Sequence, residues 1–169
     1  AAAPNLTPVT LELGGKSPVI VLDGANLEAA VNRVMMGKTL NAGQTCIAPD
    51  YVLIQRKHHA AFISLAKEWM QTHYPNISDN PDYSRIINGE QFKRVKGYLD
   101  GQTGDNVHQI TDAVSDIESR FMPPVIISEP AAESDVMQEE LFAPILPLMH
   151  YETLDDAINF VNARPRPLA

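Results

Sequence analysis

Short runs with strand character alternate along this chain with spans of helical periodicity, and that alternation limits the fold more than any other feature. The runs are Val9–Leu13, Pro18–Leu22, Tyr51–Gln55, Pro123–Ser128 and Ile145–Tyr151, most of them rich in β-branched or aromatic residues, the types that suit a pleated, packed surface. Between them, Leu27, Ala30, Val31 and Val34 recur at i, i+3, i+4 and i+7, behind an Asn26 placed to cap the first turn. This predicts a helix running to about Leu40. Phe62, Leu65, Ala66 and Trp69 repeat the spacing in a second helix, which should stop near Pro75 because proline cannot continue it. A third helix is expected over Gly89–Gly101. In a fourth, Thr153 and Asp156 have the spacing of a capping box, and Leu154, Ala157, Ile158 and Val161 form one apolar face. Strands alternating with helices imply an α/β layer architecture, a largely parallel sheet flanked by helices.

The 169 residues suit a single compact unit that buries its own core without metals or disulfides. Asn76–Ser84 and Gly101–Asp105 are rich in turn formers and are expected to be loops within that unit rather than linkers. With 13 basic and 21 acidic residues the formal charge is −8, which argues against a general nucleic-acid binder. No apolar run approaches bilayer-spanning length, and Ala1–Pro8 has neither the charged start nor the apolar middle of a secretory signal. One cysteine excludes an intrachain disulfide and fits a reducing compartment, so a cytoplasmic location is expected. The tail from Asn162 to Pro167 resists a regular helix, and the chain stops two residues later in Leu168 and Ala169, an ending that looks cut.

Several familiar chemistries lack their residues. Gly15-Lys16-Ser17 matches the end of a phosphate-cradling loop, but the leading glycine would fall at position 10, which is Thr10. No G-x-G-x-x-G and no G-x-S-x-G occurs, and His58, His59, His73, His108 and His150 show no metal-ligand spacing. The acidic segments Asp112–Glu118 and Glu133–Glu140 read as solvated surface, with one exception in the second.

Two residues remain with chemical potential. Cys46 falls on the connection between the first helix and the strand at Tyr51, where scaffolded loops often carry chemistry, though a free cysteine is as often a small buried hydrophobe. Glu12 stands near the end of an expected strand, directly before Leu13 and a glycine pair. There it is either solvent-facing or, if desolvated, a usable general base.

Taken together, the surrounding segments resemble the aldehyde dehydrogenase superfamily. Leu11-Glu12-Leu13-Gly14-Gly15-Lys16-Ser17-Pro18 is followed by Gly43-Gln44-Thr45-Cys46, and 34 positions separate glutamate from cysteine, as is typical of that family. Glu139-Glu140-Leu141-Phe142-Ala143-Pro144 is similar to the family's E-E-I-F-G-P segment, with Ala143 where glycine is usual, and Tyr151–Pro167 is similar to its closing helix and R-P-x-P-L-A tail. The wording of Asn41–Val52 is nearest the branch that includes coniferyl, fatty and aromatic aldehyde dehydrogenases.

The resemblance implies a truncated catalytic domain spanning residues 1–169, with the coenzyme-binding domain and the C-terminal part absent. It implies Cys46 as the nucleophile that forms a thiohemiacetal and then a thioester, which requires the thiolate. Glu12 becomes the base that activates water for hydrolysis, and the Cys46 N–H an oxyanion donor. Glu140 is implied to hold the ribose hydroxyls of NAD or NADP, Phe142 to pack beside the nicotinamide, and the Leu13 backbone to meet its amide. An aldehyde is the implied substrate, the parent enzyme is implied to be a homo-oligomer, and the fragment alone is expected to be inactive. A non-catalytic scaffold retaining the fold is the alternative; a thiol redox sensor is less favoured because no resolving cysteine is present.

Overall fold

The computed structural model describes residues 2–102 and 105–169; Ala1, at the head of the Ala1–Pro8 stretch, and part of the loop expected at Gly101–Asp105 lie outside the described residues. Five strands form one sheet: β1 (Pro18–Val21), β2 (Tyr51–Gln55), β3 (Val107–Gln109), β4 (Val125–Ser128) and β5 (Ile145–Tyr151). Their spatial order is β1-β2-β5-β4-β3, with β1, β2, β5 and β4 mutually parallel and β3 antiparallel on the edge beside β4. The largely parallel α/β sheet expected from the alternation is present.

Four longer helices lie between or after the strands, α1 (Leu27–Thr39), α2 (His59–His73), α3 (Gly89–Asp100) and α5 (Leu154–Asn162), and a single turn, α4 (Asp135–Gln138), precedes β5. Their starts follow local chemistry. The Asn26 carboxamide accepts from the Ala29 N–H, Asn88 does the same for Gln91, and Thr153 and Asp156 make a reciprocal capping box.

Side chains on the strands alternate between two cores. Val52 and Ile54 of β2 join Val31, Val34, Phe62 and Ala66 on the face covered by α1 and α2. Tyr51 and Leu53 join Phe92, Val95 and Ala157 on the opposite face, under α3 and α5. Because both faces are covered, β2 is apolar at four consecutive positions, the pattern of a strand buried on both sides.

Two expectations need correction. Val9–Leu13 is not a strand: Val9, Leu11 and Leu13 are exposed on irregular chain leading to β1. The segment is strand-like in its residue types, but no described strand lies alongside to complete a ladder. Conversely β3, only Val-His-Gln, carries too little β-branched character to announce itself, and it pairs through the Val107–Ile127 and Gln109–Val125 register. The acidic segment Glu133–Glu140 is also more than surface, since α4 within it buries Val136 and Met137.

Candidate active site

The three segments singled out by the sequence lead into β1, β2 and β5, which are neighbours in the sheet. All three therefore arrive at one edge, the amino ends of adjacent parallel strands. Pairing extends beyond the strands proper, because the Asp50 N–H donates to the Ser17 carbonyl at 2.9 Å, one residue before the Pro18–Tyr51 register begins.

Cys46 is exposed on a turn, and its backbone N–H donates to no acceptor among the described residues. The backbone that delivers it is unusual: Asn41, Ala42 and Gly43 all have positive φ, 50°, 53° and 72°. That left-handed run follows α1 directly and turns the chain back towards β2. Gln44 locks the turn, its amide donating to the Asn41 and Arg85 carbonyls at 2.9 and 3.0 Å while its oxygen accepts from the Ile87 N–H at 2.9 Å. Gly43 is required here on two counts, its φ and the fact that an added Cβ would lie 2.4 Å from the Ala143 carbonyl oxygen.

Glu12 is exposed, and its side chain makes no hydrogen bond or ion pair with any described residue. Two residues on, Gly14 has φ +68°, and an added Cβ would meet the Glu140 carboxylate at 2.4 Å. Glu140 is half-buried in this position and accepts no hydrogen bond from a described residue. Phe142 is exposed and held at φ 48°, a conformation that a bulky side chain adopts only when its surroundings impose it. Ala143, by contrast, is buried and outside the positive-φ region, so alanine is accommodated where the resemblance suggested glycine. Leu13 is exposed beside these groups. The structure thus brings the Glu12 segment to Glu140 and the Cys46 loop to Ala143, while no bond joins the Glu12 and Cys46 side chains.

The link among all three segments is a residue that the sequence did not single out. Asp50, buried, accepts from Lys16 Nζ at 2.6 Å through Oδ2 and from the Leu141 N–H at 3.2 Å through Oδ1. Lys16 also donates to the Glu139 carbonyl at 3.2 Å. Lys38, 1% exposed, stands 4.0 Å from Asp50 Oδ1 and its ammonium has no hydrogen-bond partner among the described residues. Burial pushes the Lys38 amine down to about 8, against the attraction of Asp50. Burial also lowers Lys16, again opposed by Asp50. A signal for Lys38 existed in the sequence: Val31, Val34, Met35 and Lys38 share the i, i+3, i+4, i+7 face that α1 buries.

Helix α3 supports the far side of the Glu139–Phe142 segment. Arg94 donates to the Leu141 carbonyl at 2.8 Å and to the Tyr98 hydroxyl at 2.8 Å, and that hydroxyl donates to the Glu139 carboxylate. Burial, with the Glu139 bond next, raises the Tyr98 phenol. Open cavities of about 620, 560 and 470 Å³ lie on the surface, the second of them against Arg94, Tyr98 and Glu139, and none is lined by Cys46, Glu12 or Glu140. Among the described residues no group of three or more His, Cys, Asp or Glu could hold a metal ion, and no helix is long and apolar enough to cross a membrane.

An exposed cysteine, an exposed glutamate ahead of a glycine pair and a second glutamate two residues before Phe142 thus lie on segments that meet at the amino ends of adjacent parallel strands. The comparisons are specific: the profile of the aldehyde dehydrogenase family matches residues 1–169, and the chain belongs to that family. It is 49% identical to a probable coniferyl aldehyde dehydrogenase of Caulobacter vibrioides, over the whole chain and 36% of the relative. The fold superposes on the substrate-bound AldH of Staphylococcus aureus with a TM-score of 0.91 at 41% identity, covering 99% of this chain and 36% of that one. It also matches aldehyde dehydrogenase C of Pseudomonas syringae, solved with NAD+ and octanal, with a TM-score of 0.75 at 30% identity over 94% of this chain and 34% of that one. The chain spans about a third of the length of these proteins.

Proposed function

We propose that these residues form the cysteine-bearing part of the catalytic domain of an NAD(P)-dependent aldehyde dehydrogenase, which oxidises an aldehyde to a carboxylic acid through a covalent intermediate on Cys46. The observation that carries this reading is the convergence of the Glu12, Cys46 and Glu140 segments on one sheet edge, tied together by Asp50.

In this reading the Cys46 thiolate adds to the aldehyde carbon to give a thiohemiacetal, and the uncommitted Cys46 N–H donates to the oxyanion that forms. NAD(P), when bound, accepts the hydride that leaves the former aldehyde carbon as the thioester forms. Glu12 takes a proton from water, the hydroxide adds to the thioester, and the acid departs as the Cys46 thiolate is restored. Glu140 is suited to the ribose hydroxyls because its carboxylate is without hydrogen bonds and Gly14 leaves it room. Phe142 presents an exposed ring for the nicotinamide, and Leu13 offers its backbone. NAD+ in the Pseudomonas syringae structure and the coniferyl name of the Caulobacter relative support the cofactor and the substrate branch. The coenzyme-binding domain, the oligomeric contacts and a cytoplasmic site of action belong to the parent enzyme on this account, and the 169 residues alone are inactive.

The test uses the natural chain that carries these residues, at full length, with aliphatic and aromatic aldehydes and either NAD+ or NADP+. Formation of the reduced nicotinamide is expected, abolished in Cys46→Ser, and Glu12→Gln is expected to keep an acylation burst and slow deacylation. Undiminished turnover in Cys46→Ser would refute the assignment. A scaffold without catalysis would show no reduced nicotinamide with any aldehyde.

A further inference from the structure

We infer that Asp50 is the positioning residue of this site: it clamps the Glu140–Phe142 segment against the loop bearing Cys46 through Lys16 on one side and the Leu141 N–H on the other. The meaning given to Glu140 and Phe142 rests on the function proposed above, whereas the clamp rests on the geometry alone.

The two carboxylate oxygens do different work. Oδ2 takes the Lys16 ammonium at 2.6 Å, and Lys16 passes a second hydrogen bond, 3.2 Å, to the Glu139 carbonyl. Oδ1 takes the Leu141 N–H at 3.2 Å. The backbone groups on either side of Glu140 are therefore both held from Asp50, one directly and one through Lys16. Arg94 of α3 holds the next group, the Leu141 carbonyl. A chain pinned at three successive points has little freedom at Glu140, and it emerges into Phe142 at φ 48°. Asp50 lies four residues after Cys46 and Lys16 four after Glu12, but the groups they hold, the Glu139 carbonyl and the Leu141 N–H, both belong to the Glu140 segment, so loss of the clamp is felt at Glu140 and Phe142.

The Lys16–Asp50 bond is charge-assisted, short and part-buried, the kind that is strong and directional. Lys38 differs. It stands 4.0 Å from Oδ1 and donates to no described group, so it supplies charge to Asp50 without direction. This contrast makes position separable from charge.

The experiment compares Asp50→Asn, Lys16→Met and Lys38→Met in the full-length natural chain, varying NAD(P)+ and aldehyde separately and measuring cofactor Kd by calorimetry. Loss of a group that holds a reacting segment in place is expected to raise cofactor KM and Kd by about tenfold to a hundredfold in the first two variants. Aldehyde KM and the rate of Cys46 alkylation by iodoacetamide should stay close to those of the unaltered enzyme. Lys38→Met should leave cofactor KM where it was. A parallel rise in cofactor and aldehyde KM, or equal effects of Lys16→Met and Lys38→Met, would show general support of the fold and overturn the inference. Should Asp50→Asn fail to fold, the two lysine variants decide the matter. If the unaltered enzyme reduces no nicotinamide with any aldehyde, the proposed function fails instead. The clamp is then judged by amide exchange, which should quicken at residues 139–142 in Lys16→Met and not in α5; unchanged exchange there would overturn it.

Discussion

Lys38 offers a stability experiment whose sign follows from its burial. The amine titrates near 10.5 in an unfolded chain and is pushed down to about 8 in the folded one, first by burial, with the attraction of Asp50 opposing and the repulsion of Lys16 adding. At about 1.4 kcal/mol per pH unit, the gap corresponds to roughly 3 kcal/mol by which the charged form disfavours folding. Below about pH 8 both states carry the proton and the whole penalty applies. Between about 8 and 10.5 the unfolded chain binds more protons than the folded one, so stability rises with pH. Tyr51, Tyr83 and Tyr98, whose phenols burial raises, act in the opposite sense near and above pH 10. A comparison of unaltered chain with Lys38→Met at each pH removes that common contribution. Methionine fills the space of the lysine stem without a charge, and Asp50 keeps both of its hydrogen bonds. The variant is expected to be more stable by about 3 kcal/mol at pH 7, with the advantage shrinking towards pH 10. Urea unfolding of the 169-residue chain followed by circular dichroism across that range reads it directly. An advantage that does not change with pH, or a variant less stable at pH 7, would refute the reasoning.

Two glycine substitutions should separate function from stability. Gly14→Ala puts a Cβ 2.4 Å from a Glu140 carboxylate oxygen, the mobile end of a side chain that can retreat. It should cost only about 1–2 kcal/mol, for the left-handed backbone, while cofactor KM rises in steady-state kinetics; unchanged cofactor KM would count against Glu140 as a cofactor ligand. Gly43→Ala puts the Cβ equally close to the Ala143 carbonyl, which is backbone and cannot yield cheaply. The expected loss is about 3 kcal/mol or more in urea unfolding, and a near-neutral variant would mean that the left-handed turn before Cys46 is easily rebuilt.

Much of the frame was legible in residue order because local signals agreed with tertiary packing. β2 and β5 fall on the expected Tyr51–Gln55 and Ile145–Tyr151, and α1 begins behind Asn26. Val9–Leu13 is not a strand because strand-like residue types favour an extended chain and say nothing of whether a strand lies next to it. The segments of Cys46, Glu12 and Glu140 stand out by their wording, and the structure leads them into the neighbouring strands β2, β1 and β5. Asp50, Lys16 and Lys38 do not stand out, because Asp50 and Lys16 matter through contacts across 34 and 91 positions that no local pattern encodes, and Lys38 through its approach to Asp50. Of the three, Lys38 came closest to betraying itself, as a charge on the helix face that all its neighbours mark as apolar.

The placement of Asp50 also bears on how the sheet finds its alignment. Its N–H extends the β1–β2 ladder to Ser17, so Lys16 meets the Asp50 carboxylate only when Pro18 stands opposite Tyr51. A slip of one residue would turn Lys16 to the opposite side of the sheet. It would leave Asp50 facing Lys38, whose ammonium has no hydrogen bond even in the native pairing. Apolar strands such as Val-Ile-Val and Tyr-Val-Leu-Ile can slide with little change in burial; the ion pair at their head supplies the penalty for doing so. The Lys16–Asp50 ion pair therefore favours the native register of β1 against β2, in which Pro18 stands opposite Tyr51.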